Sequence, residues 1–290
     1  MSEDPTRDAV FQLVALLDIE RIEETLFRGQ SGSVGFRRVF GGQVLAQALV
    51  AGLRSVARER SVHSLHGYFI LPGDLRRPII YEVENLRDGG SFSTRRVKAI
   101  QHGKVIFVMV ASFHRSEEGL DHGAAMPDVP PPNELKSGHE LFTGEFANLP
   151  QSMQRFWKRF HSIDFRPVDI SRYMDRKRRK PVQHIWFKAA DVLPDKPEVH
   201  VGLLAYASDF ALLETALVAH GKLLSDPDVR LASLDHALWF HRPFRADQWL
   251  LYSLDSPSSS GARGFCRGQI FTEDGKLVAS SAQEGLMRIG

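Results

Sequence analysis

The sequence predicts an α+β fold made of two tandem copies of one unit, each a helix followed by an antiparallel meander. Three observations carry the prediction: an internal repeat, a change of hydrophobic period from helical to alternating inside each copy, and glycine-containing turn signals between the apolar runs.

The repeat is the strongest of the three. Tyr68-Phe69-Ile70-Leu71-Pro72 followed by Ile79-Ile80-Tyr81-Glu82-Val83 is matched by Trp239-Phe240-His241-Arg242-Pro243 followed by Leu250-Leu251-Tyr252-Ser253-Leu254, at a constant offset of 171 (Pro243 against Pro72). Arg96 and Arg267 share that offset, Gly103-Lys104-Val105-Ile106 meets Gly275-Lys276-Leu277-Val278 at 172, and Ala48-Leu49-Val50-Ala51 meets Ala216-Leu217-Val218-Ala219 at 168. In the first copy Val44, Leu45, Ala48, Leu49, Leu53 and Val56 recur at helical spacing after Gly41-Gly42; in the second Leu203, Tyr206, Ala207, Phe210, Leu213 and Leu217 do so, and one helix is expected in each. Strands are expected at 62–71, 78–87, 91–101 and 104–114, set apart by Pro-Gly-Asp, Asp-Gly-Gly and His-Gly turns. Their second-copy counterparts are 229–241, 249–257, 261–272 and 276–288, the last hairpin turning at Glu273-Asp274-Gly275. The two sheets are expected to pair about a pseudo-twofold axis.

Between the copies the composition shifts. Residues 117–152 carry Pro127, Pro130, Pro131 and Pro132 with little periodicity and read as a linker or surface-wrapping loop. The division expected is an N-terminal unit over 8–116, the linker, and a C-terminal unit over 153–290 that carries the chemistry. That second unit is expected to start near Phe156, with Val168-Asp169-Ile170 and Gln183-His184-Ile185-Trp186-Phe187 as first strands. The run Arg176-Lys177-Arg178-Arg179-Lys180 between them reads as a solvated loop, with an anion site for a phosphorylated ligand as the alternative.

Composition narrows the function classes. The chain has 290 residues, 43% hydrophobic and 25% charged, with a net charge of +2, so neither disorder nor a polyanion-binding surface is indicated, and no nucleic-acid partner is expected. The single cysteine, Cys266, can form neither an internal disulfide nor a cysteine-based zinc site. The N-terminal stretch MSEDPTRDAV lacks an apolar signal core, and no run of about 18 apolar residues offers a bilayer span, so no stable membrane association is expected.

Chemistry is sought where the copies differ. Asp209 lies one turn from Tyr206 and Leu213, within the apolar stripe of the second helix, where the first copy has Gly41 at an offset of 168. Ser233, on a strand, has Val62 as its counterpart at 171, and Gln283, on the last strand, has Ala111 at 172. A buried carboxylate, hydroxyl or amide is costly without a hydrogen-bond partner, so the three are expected to satisfy one another. Taken singly, Asp209 could cap a helix, Ser233 could be an ordinary strand serine and Gln283 a surface residue. On this comparison one half keeps the chemistry and the other the shape.

The same residues carry a resemblance. Phe27-Arg28-Gly29-Gln30, Val39-Phe40-Gly41-Gly42-Gln43, His63-Ser64-Leu65-His66-Gly67-Tyr68-Phe69 with Pro72-Gly73-Asp74, and Leu86-Arg87-Asp88-Gly89 with Ser91-Phe92-Ser93 are similar to blocks of the type II acyl-CoA thioesterase, or TesB-like, family. Tyr206-Ala207-Ser208-Asp209, Asp235-His236 with Trp239-Phe240-His241-Arg242-Pro243, Ala262-Arg263-Gly264-Phe265 and Gln283-Glu284-Gly285 extend the resemblance through the second half. It implies a double hotdog fold and hydrolysis of fatty acyl-CoA to free fatty acid and CoA. It also implies a catalytic set of Asp, Ser or Thr, and Gln, which falls on Asp209, Ser233 and Gln283. In the mechanism this suggests, water is held by the three groups and deprotonated by Asp209, backbone N–H groups near a helix start polarise the thioester oxygen, and no metal or other cofactor takes part.

Competing chemistries lack their motifs. Gly29-Gln30-Ser31-Gly32-Ser33 misses the last glycine of a nucleophile elbow, and neither a phosphate-binding loop nor a dinucleotide fingerprint occurs. His236 and His241, five apart, fall on opposite strand faces and do not make a zinc site; His63 is an alternative base but reads first as a core histidine, and Cys266 as an inert buried thiol. A hotdog-type enoyl-CoA hydratase would need an Asp/His pair on one helix, whereas His220 is eleven residues from Asp209; a non-catalytic acyl-CoA binding protein would not need the three groups at all. The chain ends Arg288-Ile289-Gly290 rather than in a Ser-Lys-Leu address, and a cytoplasmic homo-oligomer of fatty-acid and lipid metabolism is expected.

Overall fold

In the computed structural model, which describes residues 5–32, 38–144 and 161–290, the chain is an α+β double hotdog built on one continuous antiparallel sheet. The strands of the first half are β1 (Glu20–Glu23), β2 (Leu26–Gly29), β3 (Arg60–Phe69), β4 (Ile79–Asp88), β5 (Phe92–Gln101) and β6 (Lys104–Arg115). Those of the second are β7 (Ile163–Pro167), β8 (Val182–Ala189), β9 (Val229–Ser233), β10 (Asp235–Phe240), β11 (Leu250–Ser260), β12 (Arg263–Thr272) and β13 (Leu277–Ile289). The order across the sheet is β1-β2-β4-β5-β6-β3-β10-β13-β12-β11-β8-β7, with β9 also on β13, so the second half repeats the first in reverse across the β3–β10 junction. That junction pairs His66 with Ala237, its own counterpart at the repeat offset of 171, which puts the pseudo-twofold axis between them.

The expected meanders match the observed strands to within three residues. The β5–β6 hairpin turns through His102 and Gly103, both at positive φ (50° and 68°), the geometry a two-residue turn needs to follow the strand twist. An irregularity is duplicated too. In β3 the register against β6 shifts between Val62 and Ser64, and in the second half the corresponding residue, Leu234, separates β9 from β10. Such breaks bend a strand and re-aim its side chains.

Three longer helices pack together, α1 (Pro5–Leu17), α2 (Gly41–Leu53) and α5 (Pro197–Ser208), and α2 lies against the strands of the first half. The others described, α3 (Gly138–Thr143), α4 (Ser171–Met174) and α6 (Thr215–Val218), are short. In α2 every residue from Gly42 to Gly52 is buried, as expected of a helix enclosed by sheet and neighbours. It packs on α5, and the close approach rests on Gly42, whose absent Cβ would stand 2.3 Å from the Tyr206 carbonyl oxygen. Val10, Leu13 and Leu17 of α1 complete this core.

Two expectations need correction. The second-copy helix is broken: α5 stops at Ser208, Ala211 takes φ 61°, and α6 resumes at Thr215, because Asp209 ends the helix instead of continuing its stripe. Val168-Asp169-Ile170 is not a strand; β7 ends at Pro167 and Asp169 accepts from the Ser171 N–H and hydroxyl to start α4. α1 and the β1–β2 hairpin were not expected at all. The expected start of the second unit near Phe156 falls outside the described residues. Of the 117–152 stretch, the described part lies on the outer face of the second half, where the Trp186 indole donates to the Pro130 carbonyl and Arg166 to that of Pro132.

Candidate active site

The site forms where the break in the second-half helix meets the start of α2. Asp209 is the residue after α5, in the αR region, and its side chain is 6% exposed. Its carboxylate reaches across the pseudo-twofold axis to α2, whose N-cap residue Phe40 supplies no side-chain cap, and accepts the Gly42 N–H. A carboxylate at a helix N-terminus takes up an orphan donor and a favourable dipole. Gly41 makes room for it, since a Cβ there would stand 2.6 Å from Oδ2.

Ser233 and Gln283 arrive from the sheet. Ser233 ends β9 at the strand break, opposite Gly285 of β13, and Gln283 faces Cys266 across β12 and β13. Gln283 is fully buried, and its Nε2 donates to Asp209 Oδ1 at 2.8 Å; the Ser233 hydroxyl donates to the same oxygen at a longer 3.3 Å. The three residues singled out by the half-to-half comparison therefore converge on one carboxylate oxygen.

Burial dominates the electrostatics. It pushes the Asp209 carboxyl up to about 6, against the opposing pull of the Gln283, Gly42 and Ser233 hydrogen bonds. A carboxyl so placed is mostly ionised at neutral pH yet is a far better base than an exposed aspartate. Burial also drives the His236 imidazole down to about 4, so this histidine is neutral. His236, named in the sequence only within the Asp235-His236 block and as a rejected zinc ligand, stands beside Asp209. It comes from β10, not from the helix on which a partner for Asp209 was sought, is completely buried, and sets Nδ1 4.0 Å from Asp209 Oδ1 while Nε2 meets Ser208 Oγ at 2.9 Å.

Two cavities meet at this point. One, of about 230 Å³, is walled by Phe40, Phe210, Leu213, Leu224 and Leu231, with Glu214 on its rim held by Arg172 in a buried ion pair at 2.8 Å. The other, of about 280 Å³, is walled by Val44, Phe69, Ile70, Leu71, Ile106 and Phe107. Gly41 and Ser233 line both. About half of these walls belong to the first half of the chain: Gly41 and Phe69 line the cavities, and the Gly42 N–H donates to Asp209.

The remaining candidates lie elsewhere. His63 bonds Ser112 through Nε2 at 2.8 Å, and His241 bonds Ser280 at 2.9 Å. His220 is exposed beyond α6. No cluster of metal-ligating side chains occurs among the described residues. Cys266 is fully buried and its thiol is pushed up to about 11 by burial. In the basic loop Arg176 pairs with Asp226, and Lys177 and Arg179 with Asp175. No helix among the described residues is long and apolar enough to cross a membrane.

The fold is a double hotdog with a buried carboxylate beside two apolar cavities, and the comparisons with known proteins place the chain among the hotdog thioesterases. Residues 28–114 match the profile described as "Acyl-CoA thioesterase N-terminal domain" and residues 159–286 the one described as "Acyl-CoA thioesterase". The chain is 39% identical to "Acyl-CoA thioesterase 2" of Haemophilus influenzae, over 97% of this chain and 98% of that protein, and 40% identical to human "Acyl-coenzyme A thioesterase 8", over 99% and 92%. Among solved structures, an acyl-CoA thioesterase II, TesB2, from Mycobacterium marinum superposes with a TM-score of 0.79 at 42% identity, covering 95% of this chain and 97% of that one. The chain belongs to the TesB-like acyl-CoA thioesterase family and is an acyl-CoA thioester hydrolase.

Proposed function

We propose that hydrolysis proceeds by direct attack of water held between Asp209, Ser233 and Gln283. The observation that carries this reading is the convergence of the Ser233 and Gln283 donors on Oδ1 of a buried carboxylate where the two cavities join. Asp209 takes a proton as the water oxygen bonds to the thioester carbon. Gln283 and Ser233 hold the water and the carboxylate in line, orientation being a large part of what such sites supply. The N–H of Gly41, at the start of α2 on the wall common to both cavities, polarises the thioester oxygen in this reading. When the carbon–sulfur bond breaks, the proton on Asp209 passes to the CoA sulfur, so the products are the free acid and CoA thiol.

The apolar walls support a fatty acyl substrate, with acyl chain and pantetheine arm on opposite sides of Ser233. The same reading takes residues 8–116 and 153–290 as the two hotdog units joined by 117–152, and the working enzyme as a cytoplasmic homo-oligomer of fatty-acid metabolism that uses no cofactor. The test is release of free thiol from acyl-CoA by the wild type and by Asp209→Asn, with a panel of chain lengths read as relative kcat/KM. Hydrolysis retained in the variant would overturn the mechanism.

A further inference from the structure

The two cavities that meet at Ser233 differ in charge and in exposure. The one walled by Phe210 and Leu213, which are 5% and 7% exposed, also carries the Asp209 and Glu214 carboxylates. The other opens beside Ile70 and Leu71, which stay 55% and 44% exposed, and among the described residues no carboxylate lines it. Its charged residue is Arg38, an exposed cation that lines both cavities. Such a difference sorts the two ends of a substrate with an apolar tail and a polyanionic head. The tail gains most against the buried walls, and the head is disfavoured beside the carboxylates.

Arg38 is held in place and has no carboxylate of its own. The N–H of its neighbour Val39 donates to the Gly73 carbonyl at 3.2 Å, and a Cβ at Gly73 would stand 2.8 Å from the Val39 side chain. That contact ties the Arg38 segment to the loop after β3, where Ile70 and Leu71 mark the open cavity. The loop's carboxylate, Asp74, is taken by Arg76 at 3.1 Å and by His102 at 3.2 Å, and Arg38 has no acidic partner among the described residues. An unpaired arginine keeps its planar fork free for phosphate oxygens. It stands three residues before Gly41, at most about 10 Å along the backbone, and its side chain adds to that reach toward an anion spaced from the thioester by the pantetheine arm. The basic loop 176–180 lies on the side of the other cavity, and its cations are largely committed: Arg176 to Asp226, two residues from Leu224, and Lys177 and Arg179 to Asp175.

We propose that Arg38 binds the diphosphate of CoA, so that the pantetheine arm lies in the cavity walled by Phe69, Ile70, Leu71 and Phe107 and the acyl chain in the one walled by Phe210, Leu213, Leu224 and Leu231. This inference rests on the reading that places the thioester beside Asp209 and Ser233. The diphosphate is the first anion met along CoA from the sulfur, which is why it and not the 3′-phosphate is assigned to a cation on the cavity wall. Arg38 holds the head of the substrate and takes no part in bond making, so its effect falls on KM.

The test is steady-state kinetics of the full-length enzyme and Arg38→Gln on one acyl group carried by CoA, by 3′-dephospho-CoA and by pantetheine. For the first two, KM should rise about 5- to 20-fold, the span of an exposed charge-assisted hydrogen bond, with kcat within about twofold of wild type. The pantetheine thioester should show no change, the difference on acyl-CoA should shrink as salt is raised, and Arg38→Lys should recover part of it. An equal loss on the pantetheine thioester overturns the phosphate contact, and a loss confined to the substrate with a 3′-phosphate overturns the diphosphate assignment. Arg178→Gln, in the basic loop, should leave KM within about twofold of wild type; a larger rise there, with none in Arg38→Gln, reverses the orientation and overturns the proposal. Filling each cavity gives a second reading. Leu231→Trp should lower kcat/KM for long acyl chains about tenfold or more and spare acetyl-CoA, whereas Leu71→Trp should lower it alike for all chain lengths, and the opposite pattern overturns the assignment of the two arms. Failure of the underlying site is read separately, as hydrolysis retained in Asp209→Asn.

Discussion

The start of α2 in the first half and the end of α5 in the second are repeat counterparts that the pseudo-twofold axis brings face to face. At one, Gly41 opens an unbroken helix of thirteen residues whose buried Gln43 and Gln47 serve structure, donating to the Gln30 and Leu16 carbonyls. At the other, Asp209 ends a helix, the backbone passes through a residue at φ 61°, and a carboxylate is delivered into the space that Gly41 leaves. Asymmetry here is more than loss of function in one copy. One half gave up helix continuity to present a charge, and the other gave up a side chain to receive it.

The sharpest way to break this comparison is at the carboxylate. Asp209→Asn should reduce kcat for thiol release about 10²- to 10⁴-fold, the range a positioned general base supplies, with the fold kept by circular dichroism. Next in size is a change in the half that lacks the three groups. Gly41→Ala places a methyl 2.6 Å from Asp209 Oδ2, so the carboxylate must move, and a displacement near 1 Å costs about 10²-fold in kcat/KM. Wild-type kcat/KM in Gly41→Ala would show that the first half only walls the site.

A stability measurement reads the same carboxylate independently of catalysis. Folding raises its carboxyl from 3.8 to about 6, so the fold favours the protonated form. The stability this group contributes is fully present below about pH 4 and is lost as pH rises through about 6. Above pH 7 the ionised group therefore costs the fold about 2–3 kcal/mol, at roughly 1.36 kcal/mol per pKa unit. Asp209→Asn escapes most of that cost, so its denaturant midpoint should exceed that of the wild type near pH 8, and the gap should close as pH falls to about 4. A gap that is constant with pH would mean that Asp209 is not the group that titrates.

Much of this organisation was legible in the sequence, and the parts that were not share a physical reason. Strands β3 to β6 and β10 to β13 announce themselves through alternation and through turns such as His102-Gly103, which leave the backbone little choice. Asp209, Ser233 and Gln283 stood out because Gly41, Val62 and Ala111 replace them in the other copy. The break after Ser208 stayed hidden because Phe210, Leu213 and Leu217 are buried and keep helical spacing across it, and burial requires the same residues whether the segment is helix or turn. The place of His236 beside Asp209 stayed hidden because its neighbours Ser208, Asp209 and Gln283 come from other elements, which the strand break at Leu234 and the register of β13 bring together. The N-terminal helix carries its three core residues on a stripe too short to read against polar surroundings.

A smaller effect is expected at Ser233. Ser233→Ala removes a long hydrogen bond to a charged oxygen and should lower kcat/KM about tenfold, near 1.4 kcal/mol, while Ser233→Thr, which keeps the hydroxyl, should stay within about threefold of wild type. Equal losses in the two variants would mean that size, not the hydroxyl, matters there.

The smallest effect on catalysis is expected when the first half is given back what it lacks. Val62 is 5% exposed and pairs with Phe113, so Val62→Ser buries a hydroxyl without a partner and should lower stability by about 1–3 kcal/mol while leaving kcat unchanged. In the proposed reading nothing is gained, because a second carboxylate would have to stand at position 41, where a Cβ would already stand 2.6 Å from Asp209 Oδ2. Two carboxylates pressed together at a buried axis cannot both ionise readily, and the second to ionise would be raised well above the value of about 6 at which Asp209 now stands. A gain of thiol release in Val62→Ser would contradict this. The two halves share one spot on the pseudo-twofold axis, and geometry leaves room there for a single charge.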